Sequence, residues 1–321
     1  MAAIAVDHLL DELARAQAGE AEVAATALNV VAFVESDRDL LARLLQRVDA
    51  LAGRRATRSI VLSAFEDASD QEVSDGRVQL GAATLGALEL RSLAHDLMVP
   101  NVRSVLLWGG ESLHDQRYRH LSELVDVVIL FSSGRDAGLQ PLKELAEVME
   151  MHGAEKIRDL SFLRLLPWQD LIAHFFDDPQ SVEELDSLEC VEIHCGSPPE
   201  AYYFVGWLAS RLRWEACGAN EFCNPHGRVI RFSFAQEGPV RRIGSITLHS
   251  AHSTFDARID ASNDDLVCLT VEGANARPHR CLPLHDLDMV SLIERAIFEP
   301  LQGQLFAETF TSVRRLLDHC A

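Results

Sequence analysis

The chain has 321 residues, of which 48% are hydrophobic and 24% are charged, and 49 acidic residues outnumber 29 basic ones to give a net charge of −20. A chain of this length can bury a sizeable core without disulfides or a metal, and about two domains of roughly 100–200 residues each are expected. Its negative surface repels nucleic-acid phosphates and anionic lipids. The sequence contains no stretch of 18 apolar residues, so no transmembrane helix is predicted. We therefore expect neither a nucleic-acid partner nor a membrane partner.

The N-terminal segment and the cysteine count both favour a cytoplasmic location. Asp7, Asp11 and Glu12 make the start of the chain an amphipathic helix pattern rather than a signal peptide. Seven cysteines, an odd number, in a chain with its own core predict reduced thiols in the cytosol.

The first half of the chain alternates between strand and helix patterns. Ala27–Val34 predicts a strand buried on both faces, Ser36 is placed to cap the helix that follows, and Gly53 is placed to end it. Further strands are predicted at Arg58–Phe65, Arg77–Gly81, Ser104–Trp108, Val125–Ser133 and Asp159–Leu165, and helices around Gly86–Leu97, Asp115–Leu124 and Leu139–His152. The alternation predicts an α/β domain over residues 1–166, with a doubly wound, mostly parallel sheet and helices on both faces.

The second half changes character near Leu166–Pro167. Helices are predicted at Trp168–Asp177, Val182–Leu188 and Pro199–Trp214, a strand at Cys190–Cys195, then strands at Val229–Ala235, Arg242–Ser250, Thr254–Asp260 and Leu266–Glu272, and closing helices at Leu287–Phe298 and Phe306–Cys320. Short alternating strands joined by polar turns predict an antiparallel meander. We therefore expect a second, α+β domain over residues 167–321.

Signatures of catalysis and nucleotide binding are missing from the sequence. No GxGxxG or GxxxxGK[ST] follows a strand, and Ser132–Ser133 lacks the context of a hydrolase elbow. The segment "WGGES" (Trp108–Ser112) places two glycines at the carboxyl end of a strand, where open α/β sheets bind ligands. A glycine pair alone is a weak signal, and a tight turn before a helix is the preferred explanation. The sequence predicts no catalytic residue and no cofactor; the alternative is a sugar-phosphate- or nucleotide-binding module or enzyme that uses the edge near Trp108–Gly110 and Ser132–Gly134.

The loop "CGANEFCNPH" contains Cys217, Cys223 and His226. A zinc site would need a fourth ligand, and the usual CxxC knuckle is absent, so no metal is predicted. Loop cysteines can be exposed and reactive, which makes Cys217 and Cys223 a candidate redox pair, with unreacted thiols as the default.

Two tryptophan-containing segments stand out. Pro167 fixes a helix start, after which Trp168, Leu171, Phe175 and Phe176 lie on one apolar stripe, either packed between domains or facing a partner. The helix "PPEAYYFVGWLASRLRW" has an apolar arc too wide for a helix with one buried side. It is either buried on most sides or presents surface to another protein, and its Trp, Tyr and Arg residues are the types enriched at interface hot spots.

At these two segments the sequence resembles the glucose-6-phosphate dehydrogenase assembly protein family, OpcA. The resemblance rests on "DLSFLRLLPWQDL" and "FVGWLASRLRW", supported in the same order by "TALNVVAFVES", "RSIVLS", "LLWGGES" and "LVDVVILFSS". The matching positions are Asp159, Leu160, Arg164, Leu165, Pro167, Trp168, Gly206, Trp207, Leu208, Ala209, Ser210, Arg211, Leu212 and Trp214. The sequence departs from the family pattern at four places. Phe162 replaces the usual aromatic residue of the first segment, and Gly109 replaces one of two adjacent aromatic residues. The segments Arg55–Arg58 and Ser74–Arg77 also differ.

The resemblance implies a non-catalytic cytoplasmic protein that binds glucose-6-phosphate dehydrogenase, favours its active oligomer and so supports the oxidative pentose phosphate pathway as an allosteric activator. The aromatic and arginine composition suggests where the partner would bind. The candidate contact residues are Trp168, Trp207, Arg211, Arg213, Trp108 and Arg164.

Overall fold

The structure is a computed structural model that describes residues 6–17, 26–64, 71–74, 76–134, 138–152, 155–236, 243–285, 287–299 and 301–319. Its strands are β1 (Leu28–Val34), β2 (Thr57–Ser63), β3 (Glu72–Ser74), β4 (Arg77–Gly81), β5 (Ser104–Gly109), β6 (Val127–Leu130), β7 (Ile157–Asp159), β8 (Leu188–Cys195), β9 (Glu215–Gly218), β10 (Glu221–Cys223), β11 (Val229–Gln236), β12 (Ile243–Ser250), β13 (Ser253–Asp260), β14 (Asn263–Gly273) and β15 (Arg277–Pro283). Its helices are α1 (Val6–Gln17), α2 (Arg38–Ala52), α3 (Ala87–Leu97), α4 (Gln116–Ser122), α5 (Gln140–His152), α6 (Leu160–Leu163), α7 (Leu166–Ala173), α8 (Pro179–Glu183), α9 (Pro198–Leu212), α10 (Met289–Phe298) and α11 (Leu301–Asp318). Among the described helices, none has both the length and the apolar character needed to cross a bilayer.

The chain divides into two compact units. The first contains residues 1–130, 151–158 and 289–299, and the second contains residues 131–150, 159–288 and 300–321. Each unit is therefore built from discontinuous segments, and the boundary expected at Leu166–Pro167 falls inside the second unit.

The first unit is organised around a seven-stranded sheet in the order β3-β4-β2-β1-β5-β6-β7. Strands β4, β2, β1, β5 and β6 run parallel, and β3 pairs antiparallel with β4. The order reverses beside β1, as in doubly wound α/β folds. The predicted fold class, with its mostly parallel sheet, is confirmed.

Strand β1 forms the centre of this sheet, and all seven of its residues are buried. Its one buried amide, Asn29, donates from Nδ2 to the carbonyl oxygens of Val99 at 2.9 Å and Val102 at 3.4 Å, and its Oδ1 accepts from the Val99 N–H at 3.0 Å. A polar side chain can occupy the middle of the core because its hydrogen bonds are satisfied there.

Helix starts explain two differences from the sequence-based expectations. Asp37, and not Ser36, caps α2, since its side chain accepts a hydrogen bond from the Leu40 N–H at 2.9 Å. Asp159 likewise caps α6, so the chain turns into a helix at Leu160 and the strand predicted for Asp159–Leu165 is wrong. A capping carboxylate satisfies backbone N–H groups at the start of a helix, and here it outweighs the apolar run that suggested a strand.

The second unit contains an eight-stranded sheet in the order β15-β14-β13-β12-β8-β11-β10-β9. Strands β12, β13 and β14 form the predicted antiparallel meander, which β15 extends by one strand. The strand predicted at Val229–Ala235 is β11, which lies outside the meander and pairs parallel with β8. Helix α9 contacts β8 and β11, while Phe175 and Phe176, after α7, pack on Phe255 of β13 with ring centroids 5.5 and 5.0 Å apart. One face of the sheet thus carries the core.

The opposite face of this sheet is polar, as strand alternation requires. Register places Glu192 beside Thr247, Thr247 beside Asp256, and Asp256 beside Thr270. The Thr247 hydroxyl donates to Asp256 at 2.7 Å. We call this side the polar face of the second sheet.

Helix α9 packs closely against α11 at Gly206. A Cβ at this position would lie 2.5 Å from Val313 Cγ2 and 3.1 Å from the Thr309 carbonyl oxygen, both in α11. Only glycine allows the two backbones this close, which gives the glycine of the "GWLASRL" segment a packing role.

We expect Gly206→Ala to lower the free energy of unfolding by about 1–3 kcal/mol, since a methyl group must be forced into a packed contact. Gly53→Ala is the matched control, because the added Cβ would meet its nearest atoms at 3.6 Å and the backbone is already right-handed. Urea unfolding of both variants measures the difference. Equal stabilities would contradict the packing role.

Candidate functional site

We call Asp159–Leu171 ("DLSFLRLLPWQDL") the signature segment of the second unit. A buried carboxylate at its first residue holds it in place. Asp159 is fully buried and accepts three hydrogen bonds, from the Ser132 N–H at 3.2 Å, the Ser161 N–H at 2.8 Å and the Tyr203 hydroxyl at 2.8 Å. Burial raises the pKa of Tyr203 well above its ordinary value, with the Asp159 charge adding to the effect, so the hydroxyl stays protonated and donates. These bonds join three separate segments of the unit.

Arg164 also faces inward. Its guanidinium lies 3.5 Å from the carboxylate of Glu200, which is 1% exposed, and 5.9 Å from the ring centroid of Phe131. Glu200 lies in the first turn of α9, so this pair fixes the start of that helix against the signature segment. The candidate contact residue Arg164 is therefore placed in an internal ion pair.

Two of the candidate tryptophans are packed in cores. Trp168 is 3% exposed in the second unit and Trp108 is 6% exposed in the first. The Trp108 ring stacks on Phe33 at 4.6 Å and meets Tyr118 edge-on at 5.2 Å. Their geometry supports packing roles, and Trp108 is not brought together with the other candidates within one unit.

The remaining three candidates lie in the C-terminal half of α9 and at its C-cap. Trp207 is half-buried and contacts the Phe204 ring at 5.4 Å, whereas Arg211 and Arg213 are exposed. Trp207 and Arg211 are four residues apart, so they share one side of the helix. Arg211 pairs with Glu308 of α11. We call Trp207, Arg211 and Arg213 the α9 C-terminal surface.

Arg213 has an unusual backbone conformation. It ends α9 with φ +57° and ψ +40°, in the left-handed region, and the next N–H, of Trp214, bonds to the Ala209 carbonyl at 2.9 Å. Helices that end in this way usually place glycine at the left-handed position. The strained position holds an exposed arginine, a feature that recurs at functional sites.

The chain then enters the β9–β10 hairpin, which is closed by a disulfide. Cys217 and Cys223 are bonded with their Cα atoms 5.9 Å apart, and the buried Trp214 packs near Phe222 of the same hairpin. Strand β9 is the last strand at its edge of the sheet. The structure also bonds Cys268 to Cys281. These four residues differ from the default expectation of unreacted thiols, and Cys190 and Cys195 remain free.

A shallow, open depression lies beside this hairpin, between β9 and α11. It is lined by Glu215, Ala216, Arg315, Asp318 and His319. Its mixed charges and open shape suit a protein side chain better than an enclosed small molecule.

The carboxyl edge of the first sheet is occupied by carboxylates. Glu35 directly follows β1, where a dinucleotide-binding sheet has its glycine-rich turn. Its side chain accepts from the Glu111 N–H at 2.9 Å and pairs with Arg117, which also pairs with Asp115. The hydrogen bond to Asp115 raises the pKa of Arg117, so the guanidinium stays charged and engaged. The Ser36 hydroxyl donates to a second carboxylate, Glu111, at 2.6 Å.

The two glycines at this edge are explained by packing. A Cβ at Gly109 would lie 2.8 Å from the Phe33 carbonyl oxygen, and one at Gly110 would lie 2.3 Å from the Trp108 ring. The glycines therefore let the chain fold closely around Trp108. This favours the tight-turn interpretation over the phosphate-binding one.

Sequence reasoning did not single out the inward partners Tyr203 and Glu200. Both lie in the first two turns of α9, where an aromatic residue and a first-turn acid are ordinary. The only available signal was Asp159 itself, since an acid before an apolar segment must be capped, paired or hydrogen-bonded once buried.

Comparison with known proteins gives relatives of one family. A family profile, OpcA_G6PD_C, described as the C-terminal domain of a glucose-6-phosphate dehydrogenase subunit, matches residues 155–310. Proteins named for the OxPP cycle, OpcA, are similar in Synechocystis sp. (29% identity, covering 73% of this chain and 54% of that protein) and Synechococcus elongatus (40% identity, covering 37% and 27%). The chain thus spans about half the length, or less, of the curated relatives that it matches.

Solved structures share the fold. KijD10, a 3-ketoreductase from Actinomadura kijaniata solved with NADP and TDP-benzene, aligns with a TM-score of 0.56 and 11% identity over 92% of this chain and 98% of its own. Levoglucosan dehydrogenase, solved with NADH and L-sorbose, aligns with a TM-score of 0.52 and 9% identity over 91% and 96%. At these identities the likeness concerns the fold alone.

We expect Tyr203→Phe to lower the free energy of unfolding by about 1.5–3 kcal/mol, the usual range for a hydrogen bond to a charged group. Tyr202→Phe is the control, because its hydroxyl bonds the neutral Asn220 amide oxygen at 3.2 Å and its loss should cost about 0.5–1.5 kcal/mol. Urea unfolding measures both. Equal, small losses would contradict the organising role of Asp159.

Proposed function

Since the chain belongs to the OpcA family, we propose that it binds glucose-6-phosphate dehydrogenase and favours that enzyme's active oligomer without catalysing a reaction itself. The matched profile is named for that dehydrogenase, and its residues 155–310 include both the signature segment and the α9 C-terminal surface. The relatives are named for the OxPP cycle. We accordingly assign this chain to the oxidative pentose phosphate pathway, in the cytoplasm.

The observation that carries the proposal is the α9 C-terminal surface. Trp and Arg are over-represented among the residues that dominate binding energy at interfaces. Trp207 and Arg211 lie in the last two turns of α9, and Arg213 is its C-cap. In contrast, Trp168 is buried and Arg164 pairs with the buried Glu200 inside the unit. An arginine in a left-handed position is not what helix termination alone favours.

The mechanism is a shift in population. A partner that binds the active oligomer more tightly than the inactive form moves the equilibrium by its differential affinity, and about 1.4 kcal/mol corresponds to tenfold. Allosteric activation in this sense needs no reacting group on the activator. In this proposal the α9 C-terminal surface and the adjoining hairpin form the centre of the surface that binds the dehydrogenase.

The alternative function, a sugar-phosphate or nucleotide module, receives less support. Glu35 and Glu111 lie at the edge where a phosphate would bind, and Arg117, the basic group there, is paired with Glu35 and Asp115. Like charges repel the ligand from this edge. Packing around Trp108 also accounts for the two glycines that suggested the alternative.

The variant Arg213→Gly separates binding from folding. Glycine relieves the left-handed strain, so the free energy of unfolding should stay within about 1 kcal/mol of the parent or rise. The affinity for the dehydrogenase should fall about tenfold, the cost of truncating one hot-spot residue. Asn101→Gly is the matched control, because Asn101 has φ +59° and is exposed in the other unit.

The measurement mixes purified chain with the dehydrogenase of the same organism and records oligomer mass by light scattering together with the rate of NADPH formation. Trp207→Ala should weaken both effects in parallel with Arg213→Gly. An unchanged mass and rate with the parent chain would refute the proposed function. Binding that neither variant weakens would refute the assigned surface only.

We also propose that the Cys217–Cys223 disulfide controls this docking. The β9–β10 hairpin begins two residues after Arg213, at Glu215. By restricting the unfolded chain, a disulfide that closes so short a loop stabilises the hairpin by about 2 kcal/mol. Reduction takes two electrons and two protons from a dithiol, which becomes a disulfide in exchange. The reduced hairpin is less ordered, and the α9 C-terminal surface beside it is less restricted in conformation.

Reduction, or the double variant Cys217→Ser/Cys223→Ser, is expected to weaken dehydrogenase binding several-fold. Mass mapping after alkylation reports the redox state, and Cys195 is the internal reference because burial raises its pKa to about 11 and keeps it unreactive at neutral pH. If the double variant binds as tightly as the oxidised parent, the hairpin does not control docking.

A further inference from the structure

Three potential metal ligands, Cys268, His279 and Cys281, lie together at the other edge of the second sheet, and the carboxylate of Asp260 is next to Cys268. His279 and Cys281 alternate on β15, so their side chains are on the same face. Register places Cys268 of β14 directly opposite Cys281, and Arg258 of β13 directly opposite Cys268. Asp260, two residues after Arg258, lies on that same polar face. The topology itself therefore brings these residues together.

The ligand atoms are close enough to converge on one small ion once the bond between the Cys268 and Cys281 sulfurs is broken. His279 Nε2 is 3.2 Å from Cys281 Sγ, and Asp260 Oδ2 is 3.5 Å from Cys268 Sγ. The ligand atoms of Cys268, His279 and Cys281 all lie within 4.8 Å of one another. With metal–ligand bonds of about 2.0–2.3 Å, tetrahedral neighbours are about 3.3–3.8 Å apart.

The carboxylate is oriented by neighbouring groups. Asp260 Oδ1 accepts from the Ser262 N–H at 2.8 Å, the Asn263 N–H at 3.1 Å and the Ser262 hydroxyl. This leaves Oδ2 directed toward Cys268. Such outer hydrogen bonds are the usual way in which a protein fixes a metal-binding carboxylate.

We propose that, once the Cys268–Cys281 disulfide is reduced, Cys268, Cys281, His279 and Asp260 bind one Zn²⁺ ion. A dithiol donates two electrons and two protons to the disulfide by exchange and is itself oxidised to a disulfide. The two thiols then release two protons as their sulfurs coordinate the ion. Disulfide and metal are alternative ways to join β14 to β15.

The donor chemistry selects this class of ion. Two thiolates, one imidazole and one carboxylate favour Zn²⁺ over Ca²⁺ or Mg²⁺, which take oxygen ligands. Two thiolates and one carboxylate around a divalent ion leave one net negative charge on the site. The chain's net charge of −20 further attracts cations to the surface.

The test uses Co²⁺ as a spectroscopic stand-in for Zn²⁺. The chain with Cys217→Ser and Cys223→Ser is reduced, freed of reductant without oxygen and titrated with Co²⁺. We expect thiolate-to-cobalt charge-transfer bands and strong tetrahedral bands that saturate at one ion per chain and disappear on addition of one equivalent of Zn²⁺. The oxidised chain should show neither.

His279→Ala is the decisive variant, because His279 is exposed on an edge strand and its loss should leave the fold intact. Loss of an outer-shell partner already costs about 10–100-fold in affinity, so loss of a ligand should cost at least that much. Cys268→Ser should abolish the charge-transfer bands, and His285→Ala, another exposed histidine, should change nothing.

Absence of cobalt bands in the reduced chain would overturn the proposal. Bands that persist unchanged in both His279→Ala and Cys268→Ser would also overturn it, because the ion would then be bound elsewhere. The readout requires no dehydrogenase, so it stands or fails separately from the proposed function.

Discussion

Asp159 lies fully buried in the second unit, and the three hydrogen bonds that it accepts fix where the turn at Ser132, the signature segment and α9 meet. Burying a carboxylate without such donors would cost a large amount of free energy. The buried position of Asp159 therefore depends on all three segments being in place. Tyr203 anchors the first half of α9, and Gly206 draws the next turn against α11. The C-terminal half of the helix is thereby held in one defined position, with Trp207 half-buried and Arg211 and Arg213 exposed.

The first unit shows that a doubly wound sheet does not by itself place phosphate-binding residues at its edge. Its strand order matches that of dinucleotide-binding sheets, and the solved structures that share the fold were determined with nicotinamide cofactors. Here Glu35 follows β1, and its carboxylate takes a backbone N–H at the edge where phosphate oxygens bind in such sheets. The backbone architecture needs only the buried strands, whereas phosphate binding needs a few particular residues at the edge, and the two can diverge independently.

Sequence patterns predicted the long elements well, because β1, α2, α9 and the meander carry strong periodicity or clear end signals. The strand expected at Asp159–Leu165 was wrong, because a capping carboxylate decides the local structure there and an apolar run of that length suits either state. Short strands such as β10 carry too few residues for a pattern. The site was predicted as a set of residue types, but only the coordinates separate the internal Trp168 and Arg164 from the exposed Arg213, whose left-handed backbone leaves no trace in the sequence.

Both terminal strands of the second sheet are bonded to their neighbours through sulfur, β9 through Cys217–Cys223 and β15 through Cys268–Cys281. Terminal strands expose backbone groups that can pair with strands of other molecules, and proteins commonly protect them. Pro278 on β15 already removes one donor from that edge. In this chain the remaining protection is covalent and reversible. Redox conditions therefore also govern how readily a strand of another molecule can extend the sheet, and with it the tendency of the protein to aggregate.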